Sequence, residues 1–401
     1  MGTVRAGMDG GSTMTFARAS FLGSVMRALR AAPLPRETDA SRCDIYFEEV
    51  GLRGAGDPVR GAYLMPLVTL RTVACRWARA SGCVMCGYHL GALHRRPSDL
   101  ELLVQTEDAI RRLDPRIYPA ILFTSNGSFL DPVEIPDPLR PRLCRRLRDA
   151  GFRFLVTETR AEFVTPERVE AMADAFAPDA APARRPLSFS FGFESADDHI
   201  RAHAVNKGVT TAELERAWRV VLDAGCSIDA YVLLGKPFLT AQEDVADAIC
   251  AIRHAVDRGV GYVFVMVANR TRFSLIDHLM GQGRYRLPSL WRAFELFNGL
   301  PREYWDHVQV KAFSHAPVEP ETYAGTCPRC SDSVKSALNH WNQTGDSQHL
   351  FRVPDCDCRA TFRRDEWSVT ADDLDSRLRR EWCLLVQELN LPEPIGAEPR
   401  A

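Results

Sequence analysis

Apolar positions along the middle of this chain follow two rhythms that take turns. Short runs at Ala120–Thr124, Phe152–Thr157, Leu187–Phe193, Ser227–Leu234 and Tyr262–Val267 are either continuous or alternate with a period of two, which suits strands. Between them, Asp99–Leu113, Pro138–Ala150, Pro166–Ala177, Thr210–Ala224 and the stretch from Thr240 to Gly259 place apolar residues three and four apart, which suits helices. Ser98 with Glu101, Thr210 with Glu213 and Thr240 with Glu243 have capping-box spacing at three helix starts. Pro138 leads another helix, and Gly151, Gly225 and Gly259 mark helix ends.

With Ala62–Val73 as the first strand, six strand–helix units follow one another, predicting a parallel sheet with right-handed crossovers. No G-x-G-x-x-G follows that strand, so a dinucleotide-binding fold is not favoured. Phe189, Phe191 and Phe193 share one side of the fourth strand, which predicts a dry, Phe-lined interior.

The flanks break the rhythm. Met1–Ser12 is Gly-rich and expected to be mobile. Phe16–Ala31 carries Phe21, Leu22, Val25, Met26 and Leu29 at helical spacing, an amphipathic helix expected to pack outside the main domain. Cys43–Val50 reads as extended. Beyond Arg302 the alternation stops, Trp367–Leu391 forms a closing helical segment, and Pro392–Ala401 is a loose tail. The organisation expected is an N-terminal helix and extension over 1–60, a barrel over 61–300 and a C-terminal module over 301–401.

At 46% hydrophobic and 25% charged residues, the 401-residue chain is an ordinary globular protein with room for one large core and an appended module. A formal charge of −2 argues against broad phosphate-backbone binding and leaves nucleic acid only a local basic face. Arg18, Arg27 and Arg30 interrupt any signal-peptide core, and no run approaches the ~20 apolar residues of a membrane span, so a cytoplasmic protein without membrane contact is expected.

The chemistry starts in Thr69–Tyr88, where Cys75, Cys83 and Cys86 form C-x7-C-x2-C after an apolar, β-branched run. Three thiolates within twelve residues can wrap one inorganic centre, and Gly82 and Gly87 let the backbone turn around it. Arg71, Arg76 and Arg79 supply positive charge beside the thiolates. An iron-sulfur cube held by three cysteines keeps one iron without a protein ligand, open to a chelating substrate. Cys327, Cys330, Cys356 and Cys358 form a second set, C-x2-C with C-x-C, which suits a closed tetrahedral zinc site better than an auxiliary iron-sulfur cluster. His340 and His349 lie between the pairs as substitute ligands.

A three-cysteine loop after the first strand, with five further strand–helix units, resembles the radical S-adenosylmethionine (SAM) superfamily. The C-x7-C-x2-C spacing is similar to that of the branch containing the Elongator catalytic subunit. The segments CVMCGY, FTSNGSFLDPVEIP, GFESADDHIRAHAVNKG, YVLLGKPFLT and TCPRC most resemble the radical-SAM subunit of archaeosine synthase, and the likeness covers most of Arg71–Cys358. It implies a partial (β/α)6 TIM-like barrel, open at one side, with a [4Fe-4S] cluster on Cys75, Cys83 and Cys86, SAM as cosubstrate, and a reductase, flavodoxin or ferredoxin as electron donor. It also implies reductive cleavage of SAM to a 5′-deoxyadenosyl radical that abstracts hydrogen from a substrate.

SAM presents an amino acid head, a ribose diol and an adenine. Ser125, Asn126 and Gly127, after the second strand, offer backbone N–H groups for the head. A strand-end carboxylate, Glu158 or Glu194, suits the diol, since each oxygen accepts one O–H, although either can instead pair with Arg160. The resemblance assigns Lys207 to the SAM carboxylate and Met85 and Tyr88 to the adenine. His89, His94, Lys236, Asn269 and Arg270 are candidates to face the substrate. For that substrate the resemblance implies an amino-acid adduct of a deazaguanine, with a small molecule of a biosynthetic pathway as the other option. A non-catalytic iron-sulfur and zinc scaffold or electron carrier, and a tRNA-binding protein, are the rival functions.

Overall fold

A computed structural model describes residues 21–31, 39–52, 61–179, 185–313, 320–353, 356–367 and 372–392. Met1–Ser12, the first five residues of the helix expected at Phe16–Ala31, and all of the C-terminal tail but Pro392 lie outside the described residues.

Eight strands form one sheet in sequence order: β1 (Asp44–Leu52), β2 (Gly61–Leu70), β3 (Ala120–Ser125), β4 (Phe154–Thr159), β5 (Leu187–Gly192), β6 (Ser227–Leu234), β7 (Tyr262–Val267) and β8 (Val308–Lys311). From β2 to β8 all neighbours are parallel; β1 turns back antiparallel on β2. The six expected units are β2 to β7. The eighth strand lies beyond the boundary expected at 300, too short to register as a period-two pattern.

The three capping boxes form as the sequence predicts, at Ser98, Thr210 and Thr240. Gly151 ends the helix Arg140–Ala150 with φ 108°, a left-handed conformation that spares a glycine the Cβ clash. That helix begins two residues after Pro138. β4 starts and ends two residues later than expected, so Glu158 belongs to the strand and only Arg160 follows it.

The pleat reverses one expectation. Val156 pairs in register with Ser188 and Glu158 with Ser190, and Val156, Glu158, Ser188 and Ser190 all line the barrel interior. Phe189 and Phe193 belong to the core beneath the helices instead, with Phe193 5.1 Å from Trp218, and Phe191 packs in that core while also bordering the cavity. Both faces of a parallel sheet are buried, so apolar alternation alone does not say which face is which.

The gap between the two edge strands is bridged. Gln309 on β8 donates to the Gly51 carbonyl of β1 (2.8 Å), and Lys311 donates to the Glu49 carbonyl. The helix Ser331–Thr344 lies across both edges: Asn342 accepts from Val310 N (2.9 Å) and donates to Val310 O (2.6 Å), while Trp341 Nε1 donates to Val308 O (3.0 Å). A Cβ on Gly51 would overlap the Asn342 carbonyl, so the close approach requires glycine. Each of these edge groups, left buried and unpaired, would cost about 1–3 kcal/mol. The sheet itself stays open between β1 and β8, as expected of a partial barrel, and these side chains and this helix lie across the opening.

The helix Asp357–Asp365 comes before the closing segment expected at Trp367–Leu391, and that segment forms the helix Leu374–Glu388, with residues 368–371 outside the described set. The second helix packs Trp382 on Phe21 of the N-terminal helix Phe21–Leu29, 5.1 Å between rings. Among the described residues no helix is long and apolar enough to cross a membrane.

Candidate functional site

β2 delivers its chain end to the C-terminal rim of the barrel, and there the cysteine loop begins. Cys75 precedes the short helix Arg76–Ala80, and Cys83 and Cys86 are joined by a turn in which Cys86 N donates to Cys83 O (3.3 Å). All three cysteines line one cavity of roughly 530 Å³ running down the barrel interior. Met85 and Tyr88 line it from the same loop, and Ser125, Asn126 and Gly127 from the end of β3. Glu158, Arg160, Glu194 and Asn269 line it from the ends of later strands, and Lys207 from further along the connection after β5.

The β3 turn is pressed against the first cysteine. A Cβ on Gly127 would stand 2.5 Å from both Cys75 N and Cα and would overlap Glu134 Oε1, so only glycine fits. Glu134 is fully buried behind this contact, accepting from Thr72 Oγ1 (2.7 Å), Ser125 Oγ (2.9 Å) and Ser128 N (2.8 Å). Burial outweighs those bonds and pushes its carboxyl up to about 7. Asn126 Nδ2 donates to Gly91 O (2.9 Å), tying the turn to the segment after Cys86.

The loop after β5 braces the other side. Asn206, in a left-handed conformation at φ 55°, donates to Ser81 Oγ (2.9 Å) and Gly82 O (2.7 Å), and its carbonyl accepts from Trp77 Nε1 (2.8 Å). Next to it, Lys207 Nζ is 2.8 Å from Glu194 Oε1, and its carbonyl accepts from Arg160 Nη2 (2.9 Å). Arg160 also pairs with Glu162. Glu158 Oε1 accepts from Tyr231 OH (2.8 Å). Neither carboxylate expected for the diol is a solvated rim charge or a partner of Arg160.

Electrostatics single out the same loop. Burial raises each of the Cys75, Cys83 and Cys86 thiols, and in each case the strongest opposing charge is a different cation: Arg160 for Cys75, Lys207 for Cys83 and Arg30 for Cys86. Thiolates are the metal-binding form, so three cysteines, Cys83 buried and Cys75 and Cys86 half-buried, with three flanking cations fit an anionic cluster facing the cavity. Arg30 was not among the sequence-derived candidates. The only signal for it in the sequence is one arginine in an amphipathic helix fifty residues upstream.

Several candidates fall elsewhere. His94 is exposed, and Lys236 is buried against Asp244 (3.4 Å) and Asp247 (3.0 Å), a buried charge neutralised within the fold. Arg270 is held by Asp277 (2.7 Å), and His89 is buried beside the cysteine loop; neither lines the cavity. Among the five substrate candidates only Asn269 faces the lumen. The interior also carries Glu48, Asp229, Tyr231 and Lys311, which their β-strand alternation does not distinguish from surface polar positions.

The second cysteine set comes together tightly. Sulfur separations are 3.6 Å for Cys327–Cys330, 3.5 Å for Cys327–Cys356 and 3.4 Å for Cys330–Cys358, with all four ligand atoms within 4.8 Å. Zn–S bonds of 2.3 Å place tetrahedral sulfurs about 3.8 Å apart, whereas a cubane sets its cysteines further out, each beyond its own iron. Trp291 Nε1 donates to Cys358 Sγ (3.2 Å), the kind of outer contact that orients a ligand. His340 and His349 are not substitutes: they stack on each other (4.7 Å), and His340 Nδ1 bonds Ser336 O (2.8 Å).

No protein-family model matches the chain. It is 27% identical over 312 residues to archaeosine synthase subunit beta of Methanosarcina acetivorans, covering 77% of this chain and 87% of that protein. It is 26% identical over 329 residues to the protein of the same name from Thermococcus kodakarensis, covering 80% and 94%. Among solved structures, Elp3 of Methanocaldococcus infernus lacking its N-terminus aligns with a TM-score of 0.43 at 14% identity, over 60% of this chain and 59% of that one. The chain is a homologue of these archaeosine synthase beta subunits and, by that kinship, an enzyme.

Proposed function

We propose that this homologue of archaeosine synthase subunit beta holds a [4Fe-4S] cluster on Cys75, Cys83 and Cys86 and binds SAM in the barrel mouth beside it. The chemistry that pair supplies when bound is one-electron cleavage of the sulfonium to a 5′-deoxyadenosyl radical, which takes a hydrogen atom from the substrate. The observation that carries this reading is that three cysteines, each with its own cation, face one cavity with the β3 turn and the Glu194–Lys207 pair.

The chain's residues divide the work. Lys207 offers its ammonium to the SAM carboxylate, the turn at Ser125, Asn126 and Gly127 offers N–H groups to the amino acid head, and Met85 and Tyr88 flank the adenine. Glu158, steadied by Tyr231, accepts the ribose hydroxyls. Val50, Met65, Leu122, Phe154 and Val156 give the lower lumen an apolar wall that excludes water and stray hydrogen donors. The substrate is an amino-acid adduct of a deazaguanine, which kinship to archaeosine synthase supports, and a flavodoxin or ferredoxin supplies the electron. Zinc occupies Cys327, Cys330, Cys356 and Cys358 as a structural ion.

Anaerobically reconstituted protein with dithionite is expected to convert SAM to 5′-deoxyadenosine, and Cys83→Ala to abolish this. Deuterium in a deazaguanine–amino acid adduct should appear in the 5′-deoxyadenosine. A cluster that is reduced while SAM stays intact would make the protein an electron carrier instead.

A further inference from the structure

The N-terminal helix reaches into the cysteine loop through one side chain. Leu22, Val25 and Met26 are fully buried in a cluster with Val84, Leu275, Leu279 and Leu385, which fixes the helix against the loop from outside the barrel. From the end of that helix, Arg30 Nη1 donates to Ala78 O (2.9 Å), and Nη2 donates to Cys83 O (3.2 Å) and Cys86 O (2.8 Å). One guanidinium therefore holds both carbonyls of the C-x2-C turn. Gly82, at φ 100°, leaves the space: a Cβ there would overlap the guanidinium.

We propose that Arg30 is a positioning residue for the iron-sulfur centre, holding Cys83 and Cys86 in ligating geometry and placing a fixed positive charge behind the cluster. The inference rests on the function proposed above. The planar fork matters: a lysine ammonium is a point charge on a flexible stem and cannot hold three carbonyls in one plane-constrained arrangement. A permanent cation on the far side of the ligands also favours the more negative, reduced cluster, which is the state that must form before SAM is cleaved.

Arg30→Gln and Arg30→Lys, with Arg27→Gln as control, test this in full-length protein. Arg27 binds Ala80 O (3.1 Å) on the same helix but neither ligating residue's carbonyl. In metal-free protein, amide hydrogen exchange over residues 82–87 should accelerate in Arg30→Gln and stay at the wild-type rate in Arg27→Gln. After reconstitution, iron loss to a chelator should be on the order of tenfold faster in Arg30→Gln. Its cluster should be harder to reduce, with Arg30→Lys restoring the potential but not the iron retention. Wild-type protein that takes up no cluster overturns the proposed function. Wild-type protein that does, beside an Arg30→Gln variant with unchanged exchange, retention and potential, overturns the role of Arg30 alone. A helix-wide loss of protection in both Arg30→Gln and Arg27→Gln would also overturn it, as simple fold support.

Discussion

Lys207 Nζ stands 2.8 Å from Glu194 Oε1, both on the connection that follows β5 and both facing the cavity beside Cys83. Glu194 adopts a left-handed conformation, φ 65°, that non-glycine residues rarely take, and it does so where a carboxylate must turn back toward a lysine. Gly192 makes the room, since a Cβ there would overlap Lys207 Nζ and lie 2.7 Å from Glu194 Oε1. The pair keeps the lysine charged and aimed before any ligand arrives.

Gly192→Ala should therefore break the pair without unfolding the barrel, because the atom displaced is the flexible end of a lysine. SAM affinity of the reconstituted protein is expected to fall by about tenfold, the worth of one charge-assisted hydrogen bond. Calorimetric titration with SAM checks it, and an unchanged Kd would remove Lys207 from the cosubstrate site.

Gly127→Ala meets backbone instead of a side-chain tip. The methyl group would press on Cys75 N and Cα at 2.5 Å and on the buried Glu134, and none of these can swing aside. Iron per chain should drop to a small fraction of wild type while circular dichroism stays the same. Full iron content in this variant would show that the β3 turn does not set the position of Cys75.

The zinc site proposed for the second cysteine set is expected to stabilise the barrel seam. Cys330 directly precedes the helix Ser331–Thr344, whose other end carries Trp341 and Asn342 onto β8. Elemental analysis should find one zinc per wild-type chain and none in Cys330→Ser, and the variant's unfolding free energy in urea should fall by roughly 4 kcal/mol or more. Bound iron in place of zinc, or wild-type stability in the variant, would contradict this.

His89 gives a pH signature. Burial, helped by the nearby Arg30 charge, lowers its pKa to about 4, and neither ring nitrogen has a hydrogen-bond partner. Above pH 6.5 the imidazole is neutral folded or unfolded; as pH falls from 6.5 toward 4 only the unfolded chain takes up the proton, so stability is lost across that window. The loss amounts to on the order of 3 kcal/mol, at 1.36 kcal/mol per unit. Urea unfolding of metal-free protein between pH 4.5 and 7 should show the slope, and His89→Leu should flatten it.

What a reader of the sequence could see follows the range of the interaction. The capping boxes at Ser98, Thr210 and Thr240 and the C-x2-C turns span a few residues, so composition and spacing reveal them. Phe189, Phe191 and Phe193 show the limit: their alternation is plain, but whether it faces the helices or the lumen depends on register with β4. Lys236 and Arg270 follow strands in the expected places, but carboxylates on the helices that come next, Asp244, Asp247 and Asp277, claim their charges once those helices fold back.

The linear order of residues by itself determined the alternation of strand and helix, the cysteine loop after β2 and the two cysteine pairs, because backbone periodicity and ligand spacing are local properties. Only the folded chain decided that Arg30 would hold the carbonyls of Cys83 and Cys86, that Asn342 would bridge β8 toward β1, and that Lys207 would meet Glu194. Each of those contacts joins groups whose partners were set by how the sheet curls and which helix packs where. A side chain's chemistry is written in its residue type, but its partner is chosen by the geometry of everything between them.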